Sequence, residues 1–440
     1  MLAAVLLAPP GLSAQAVTLG EALRRADAAG YGNRIAAGQA AAQAGLADAA
    51  LRGVLPTIRF ETGIVRSTEP LTSFGLLLRQ RAVTPAAFDP ARLNYPGATG
   101  NIGAAAILEQ PIVDLDAWLA RRAATRAAGA ADASAAWAQS ATRFEVVRAY
   151  YGAALARELV TALDTAAASA HAHERQAESM HRNQLVTRSD ALLASVRAGE
   201  ADARLVAALG QAELAGARLA VVIGEPDGQA LPATSLPAAA VIRRVAALGV
   251  AVGARADVQA AELAAEAAAA DARRATAALL PRLQAFGRLE WNDGDAPFAG
   301  DEAWTAGVML SWSPFSGGAE LAGRRAAAGR RLSAEAAADA VQARGRLEVR
   351  EAETAVRVAL AQMDIAERGV AQAAEAHRIV ARKYAGGLAG VTELLDAAAT
   401  ETGARLAFAE ARFQAVVAVA QRRHAGGADV AAIVALEEME

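Results

Sequence analysis

Two periods of hydrophobic and polar positions follow one another along this chain, and the succession happens twice. Between Trp304 and Trp312 every second residue is apolar: Trp304, Ala306, Val308, Leu310 and Trp312 share one face, opposite Thr305, Gly307, Met309 and Ser311. A period of two predicts a strand, here with an aromatic at each end of its apolar face. After Pro314 and the Gly317–Gly318 pair the period becomes that of a long helix, over 319–385. The same change occurs earlier within Asn101–Arg121, where a strand over 101–110 gives way to a helix from Leu115.

The rest of the chain follows this programme. Thr18 and Glu21 form a capping box that opens a helix running to about Val54, closed by Leu55–Pro56. A strand over 57–66 sets Ile58, Phe60 and Ile64 against Arg59 and Glu61. Residues 67–100, with Pro70, Pro85, Pro90 and Pro96, read as a long loop. Helical patterns cover 115–182 and 189–222, and residues 224–254 form a linker that opens with Pro and Gly. Residues 255–424 then repeat the order: a helix ending at Leu280–Pro281, strands over 282–291 and 304–313, and helices over 319–385 and 391–424. Residues 425–440 read as a weakly patterned tail.

Pro56 and Pro281 lie 225 residues apart, Val113 and Phe315 lie 202 apart, and Leu185 and Leu388 lie 203 apart. The offset drops once, across the strand pair, and then holds. A long loop in the first half and a short one in the second account for the drop, so residues 17–223 and 255–424 read as an internal duplication.

Composition sharpens the picture. Hydrophobic residues make up 54 % of the chain but aromatics only 4 %, so the apolar content is mostly Ala. Ala favours helix and lets helix backbones approach closely. At about 1.5 Å per residue the 115–182 helix would span roughly 100 Å and needs lateral support, as in a coiled coil. The absence of Cys removes disulfides and thiolate chemistry. The net charge of −3, with scattered basic residues, argues against a nucleic-acid partner. No uncharged apolar run of about 18 residues occurs, so no transmembrane helix is expected. Residues 1–16, with the apolar run Leu2–Ala8 and the small-x-small Ala14–Gln15–Ala16, read as a truncated secretory signal peptide without its basic start.

Each repeat supplies two strands of a length that crosses a tilted bilayer span. Four strands cannot close a membrane barrel, and an open edge in lipid leaves backbone groups unpaired. The chain is therefore expected to oligomerise: three copies give twelve strands and two give eight, and the bulk of the helices favours three.

The motifs resemble those of TolC-family outer-membrane efflux proteins. They are Arg255-Ala256-Asp257 leading to Leu279-Leu280-Pro281, the strand-to-helix signatures Gln110-Pro111-Ile112-Val113-Asp114 and Trp312-Ser313-Pro314-Phe315-Ser316-Gly317-Gly318, and the tips Gln184-Leu185-Val186-Thr187 and Gly387-Leu388-Ala389-Gly390. The loop stretches Ser73-Phe74-Gly75 and Phe88–Asn94 are similar to one branch of the family. The chain departs from the pattern at Gly30–Tyr31 in place of Asn-Pro, at Ala256 in place of Pro, and at Gln184 in place of Gly. The resemblance covers about residues 17–424. It implies a mainly α chain whose homotrimer forms a twelve-stranded outer-membrane β-barrel continued by an α-helical tunnel into the periplasm. The implied role is a passive exit duct, working with a periplasmic adaptor and an inner-membrane pump, without cofactor or enzymatic chemistry. Type I protein secretion and metal efflux use the same duct with other pumps. A periplasmic coiled-coil scaffold or adaptor is the rival from another class, and it leaves the four strands unexplained.

The resemblance also assigns candidate residues. Glu393 and Asp396, three apart and so on one helix face, would form acidic rings at the narrowest point and favour cations. Acids are also favoured in a first helical turn by the helix dipole alone. Tyr384, with Ser189 and Asp190, matches the family's gate network, while the arginine that usually joins it is Ala389 here and Arg188 is the candidate substitute. Leu185, Val186 and Thr187, with Leu388, Ala389 and Gly390, match the adaptor-docking tips. Trp291, Trp304 and Trp312 suit interfacial girdles facing outer-membrane lipid. His171, His173 and His181 are spaced wrongly for one metal ion on one helix. No nucleophile set, phosphate loop or paired acid in catalytic context is found, so no enzyme is expected.

Overall fold

The computed structural model describes residues 15–228, 230–248 and 253–434. The first repeat contains β1 (Gln15–Val17), α1 (Leu19–Ala29), α2 (Tyr31–Ala49), β2 (Thr57–Ser67), α3 (Pro70–Arg79), α4 (Pro90–Asn94), β3 (Thr99–Val113), α5 (Leu115–Arg182) and α6 (Arg188–Val222). After it come β4 (Ala230–Pro232), α7 (Ala239–Ala247), α8 (Ala256–Ala277), β5 (Arg282–Asp293), β6 (Glu302–Ser311), α9 (Ala319–Ala385) and α10 (Val391–Ala425). The leader reading over 1–16 lies outside the described residues save for Gln15 and Ala16, which belong to β1, and residues 435–440 of the tail also lie outside them.

Two compact units divide the chain: residues up to Ala40 with Ala131–Ala260 and those from Asp339 onward, and Ala41–Ala130 with Ala261–Ala338. The second unit holds an antiparallel sheet in the order β2-β3-β5-β6. Its central pair, β3 with β5, joins strands from the two sequence repeats, Ile102 facing Asp293 and Gln110 facing Ala285. The register slips at Pro111, which has no N–H for the ladder. One face carries Ile58, Phe60 and Ile64 on β2 and Trp304, Val308 and Leu310 on β6, each more than 60 % exposed. The other face carries a charge ladder: Arg59 pairs with Glu61 at 2.8 Å, and Arg288 with Glu290 at 2.9 Å and Glu61 at 3.7 Å. At one end of that face Gln80 donates to Asn101 Oδ1 at 2.9 Å, and Asn101 donates to Asn292 Oδ1 at 3.0 Å.

Residues 67–100 are not the continuous loop that their prolines suggest. Pro70 and Pro90 open α3 and α4, and Glu69 and Asp89 cap them by accepting backbone N–H groups. Pro is tolerated in a first helical turn, where its missing N–H has no partner to lose.

The first unit packs α1, α7, the middle of α5 and the ends of α6 and α10 around Tyr150, Tyr151, Leu219 and Ile242, all fully buried. β1 and β4 pair in parallel, Gln15 with Ala230. The expected single helix to Val54 is two, broken at Gly30. There the N–H bonds Ala26 O, and a Cβ would come within 2.5 Å of that oxygen. The linker contains β4 and α7, whose Val241, Ile242 and Val245 are buried in the same core, and the tail returns Val430 and Ile433 to it. Ala, Leu and Val also make α6 apolar enough, by length and composition, to cross a membrane, where the sequence suggests no such helix.

Candidate functional site

The two tips of the helical unit are built alike, 203 residues apart. α5 ends where Gln184 turns left-handed at φ 61°, so that Leu185 N–H reaches Met180 O at 2.9 Å. α9 ends where Gly387 turns at φ 75°, so that Leu388 N–H reaches Lys383 O at 2.8 Å. Glycine takes that conformation without cost and glutamine does not. The geometry leaves Leu185 and Leu388 as the exposed points of the two turns, 68 % and 81 % accessible. Thr187 then starts α6 with a reciprocal cap: its Oγ1 accepts from Asp190 N–H, and the Asp190 carboxylate accepts from Thr187 N–H at 3.0 Å. Gly390 starts α10 without a side-chain cap.

Behind the turns lies a small core of Ala177, Ala194, Tyr384, Val391, Leu394 and Leu395, with Val380, Ala381 and Ala389 against it. Tyr384 is 1 % exposed, and its hydroxyl has no hydrogen-bond partner among the described residues. Burial, and then the Asp190 charge, push that phenol above its ordinary range. Asp190 spends its carboxylate on Thr187 and Ser189 is exposed, so within one chain neither bonds the Tyr384 hydroxyl. Arg188 is exposed. Glu393 and Asp396 point away from this core and are both exposed, while Leu394 and Leu395 between them are buried. Arg197 on α6, paired with Glu200 at 2.8 Å, is close enough for its charge to couple to Asp396.

The histidines take separate partners. His171 meets Glu174 at 3.0 Å and Asp202 at 3.1 Å, and these carboxylates raise its pKa, Glu174 first. His181 Nδ1 bonds Val186 O at 3.2 Å, which steadies the first turn. His173 sits edge-on to His377, ring centres 5.6 Å apart, and burial followed by the second imidazole lowers its pKa. His377 Nδ1 lies 2.6 Å from Glu401 Oε2. Burial works against ionising Glu401, but Arg405 and His377 hold its carboxyl below the ordinary range. Among the described residues no three His, Cys, Asp or Glu side chains gather to hold a metal.

A second polar centre, also in the helical unit, surrounds Arg255. Its guanidinium is buried and meets Asp257 at 2.7 Å, Glu348 at 2.6 Å and Ala425 O at 2.9 Å, and it lies 4.6 Å above the Trp137 ring. His424 stacks on the other partners of this cluster, Trp137 and Phe144, and bonds Ser140 at 2.8 Å. Burial, then the Arg255 charge, lower its pKa. The sequence marks Arg255 and Asp257 as a motif but gives no sign of His424, Glu348 or the His377–Glu401 pair.

In the sheet unit the aromatics lie near strand ends. Trp304 and Trp312 are 76 % and 61 % exposed, Trp312 Nε1 donating to Leu279 O at 3.0 Å. Trp291 packs edge-on against Phe298 at 5.4 Å.

Residues 248–428 match the outer membrane efflux protein family. No curated protein matches the chain. Among solved structures the chain is similar to the outer membrane protein VceC of Vibrio cholerae, at 20 % identity and a TM-score of 0.78, covering 94 % of this chain and 96 % of that one. It is also similar to a membrane protein of Pseudomonas aeruginosa (18 %, 0.79, 96 % and 99 %) and to the outer membrane channel CmeC of Campylobacter jejuni (16 %, 0.76, 93 % and 85 %). At these identities the likeness establishes the fold.

Proposed function

We propose that this chain, whose second half carries the outer membrane efflux protein domain and whose whole length has the fold of solved outer-membrane channels, is the exit duct of an efflux system. The observation that carries this reading is the sheet. It has one exposed apolar face, one charged face, and two edge strands, β2 and β6, with no outer neighbour among the described residues. Apolar side chains so exposed are stable against lipid, and the edges are stable there only when paired. Strands of 10 to 15 residues have the length to cross a bilayer. Three copies supply twelve strands and close the barrel, which puts the charge ladder toward a polar lumen and Trp304 and Trp312 at the interfaces.

The helices supply the tunnel, and the tips set its selectivity and partners. Glu393 and Asp396, exposed on one side of α10, would line the constriction in three copies, with Arg197 offsetting part of the Asp396 charge. Tyr384 holds each tip shut through its buried ring. Leu185 and Leu388, held out by two turns of the same form, fit an adaptor that reads both repeats, and an inner-membrane pump drives transport through that adaptor. Conductance of the purified trimer in a planar bilayer, beside a Glu393→Gln/Asp396→Asn variant, tests the reading. A cation preference lost in the variant is the expected result. Absence of conductance, together with a soluble monomer in cell fractions, would overturn it.

A further inference from the structure

The motif stretches Ser73-Phe74-Gly75 and Phe88–Asn94 lie between β2 and β3, and the duct reading leaves them without a role. Here α3 is tied across the whole width of the sheet, at the strand ends farthest from Pro56. Ser73, which is buried, donates to Ser67 O on β2 at 2.8 Å. Gln80 Nε2 donates to Gly100 O on β3 at 2.7 Å and to Asn101 Oδ1 at 2.9 Å. Asn101 donates in turn to Asn292 Oδ1 on β5 at 3.0 Å. Arg81 donates to Glu302 O on β6 at 3.0 Å, and to do so it turns left-handed at φ 52°, which costs an arginine energy.

The backbone carbonyl of Gly100 can only accept, so it fixes Gln80 as the donor and with it the direction of the amides that follow. Asn101 and Asn292 are each 5 % exposed, which makes this relay an internal contact. Gly103 faces Asn292 across the ladder and leaves it room, since a Cβ there would stand 3.3 Å from Asn101 Nδ2.

The relay lies on the charged face, because Asn292 is two residues from Glu290 on one strand. Arg79 of α3 also lines one cavity of about 250 Å³ with Glu61, Arg288 and Glu290, so the helix overhangs the charge ladder. The sheet side of α3 carries Ser73, Leu76 and Gln80. At about 3.6 residues per turn Leu71 and Leu78 then stand on the opposite side, where they are 79 % and 54 % exposed.

We propose that α3 forms a second constriction of the duct, at the barrel mouth that residues 67–100 occupy, lined by Leu71 and Leu78 of three copies. The proposal rests on the trimeric duct reading, which turns the charged face inward. Twelve strands about 4.8 Å apart and tilted by about 40° enclose roughly 24 Å between opposite backbones. A helix is about 10 Å across, so three helices projecting from that wall take up most of the opening. An apolar lining at so narrow a point excludes water and ions until the helices part.

The chain has no cysteine, so a single introduced one reports on its own position. Leu78→Cys is compared with Val308→Cys, which lies on the exposed apolar face of β6. Attaching a bulky maleimide to Leu78→Cys is expected to cut the conductance of the purified protein in a planar bilayer by at least about tenfold, and the same label on Val308→Cys is expected to leave it unchanged. A short bismaleimide is expected to join Leu78→Cys copies into covalent dimers, and not Val308→Cys copies. Adding Gln80→Ala, which removes the head of the relay, is expected to lower that cross-linking several-fold. Unchanged current through fully labelled Leu78→Cys, equal block at both positions, or no cross-link at Leu78→Cys would each overturn the constriction while leaving a conducting duct in place. Absence of current before labelling counts against the duct reading itself, and the cross-linking contrast then decides whether α3 of neighbouring copies meet.

Discussion

Replacing Tyr384 separates two ways in which a tyrosine can hold a tip closed. The ring is 1 % exposed among Ala177, Ala194, Val391, Leu394 and Leu395, and the hydroxyl has no partner among the described residues. Truncation to Ala removes a fully buried aromatic, which costs about 3–5 kcal/mol where the surroundings cannot collapse. At a tip bounded by two exposed turns the lower figure applies. About 3 kcal/mol corresponds to roughly a hundredfold in the opening equilibrium. Hydrogen exchange reads that equilibrium directly, in peptides covering 177–195 and 380–396. Tyr384→Ala is expected to speed exchange there by about two orders of magnitude. Tyr384→Phe keeps the ring and removes only an unpaired buried hydroxyl, so exchange stays unchanged or slows, by up to about 1 kcal/mol. If Tyr384→Phe exchanges as fast as Tyr384→Ala, the hydroxyl holds the tip and the packing argument is wrong.

Gln184→Gly relieves a left-handed residue worth about 1 kcal/mol and is expected to slow exchange at the α5–α6 turn several-fold, whereas Gly387→Ala does the reverse at its counterpart. His424 is held neutral by burial and Arg255, so its folded pKa is lowered; its contribution is complete above the unfolded value of about 6.5 and is lost as pH falls through that value toward the folded one. Thermal midpoints measured from pH 8 to pH 5 should therefore fall on acidification, and His424→Phe should flatten part of that fall. Arg255→Met leaves the Asp257 and Glu348 carboxylates without their cation and is expected to cost about 2 kcal/mol, below the figure for a fully buried pair because both acids keep some solvent. Midpoints of that variant unchanged from wild type would show that the guanidinium contributes nothing.

The long helices and the strands could be read because their signals are local and repeated. The period of two across 282–291 and 304–313 places its side chains on the same faces as the observed pairs Leu283–Leu310 and Leu289–Trp304. The Gly386–Gly387 pair leaves α9 nowhere else to end after Ala385, and α5 ends at Arg182 just before the left-handed Gln184. What stayed hidden was punctuation with a second meaning. Pro70 and Pro90 look like breakers until Glu69 and Asp89 are seen as caps, and then each opens a helix. Gly30 looks like a tolerated helix interior until the carbonyl of Ala26 is found where a Cβ would stand. In both cases the deciding contact involves the residue's immediate neighbours, but its sign depends on where the chain goes next.

The tip turns and the polar pairs behind them differ in legibility for a geometric reason. A turn is a run of four or five residues, so Leu185 and Leu388 can be found by motif. The partners lining a helical hairpin are far apart in the chain but equidistant from the turn. His377 and Glu401 lie twelve residues on either side of Ala389, and they are bonded. His171 and Asp202 are arranged in the same way about the Val186–Thr187 turn, and they too are bonded. Across the duplication His173 and His377 stand 204 residues apart, within one residue of the offset between the two tips, and their rings touch. Folding each repeat at its tip and laying the repeats over one another therefore gathers His173, His377 and Glu401, although no local motif marks them. That operation needs the helix ends placed to within one residue, because a slip of two on a helix carries a side chain to the opposite face.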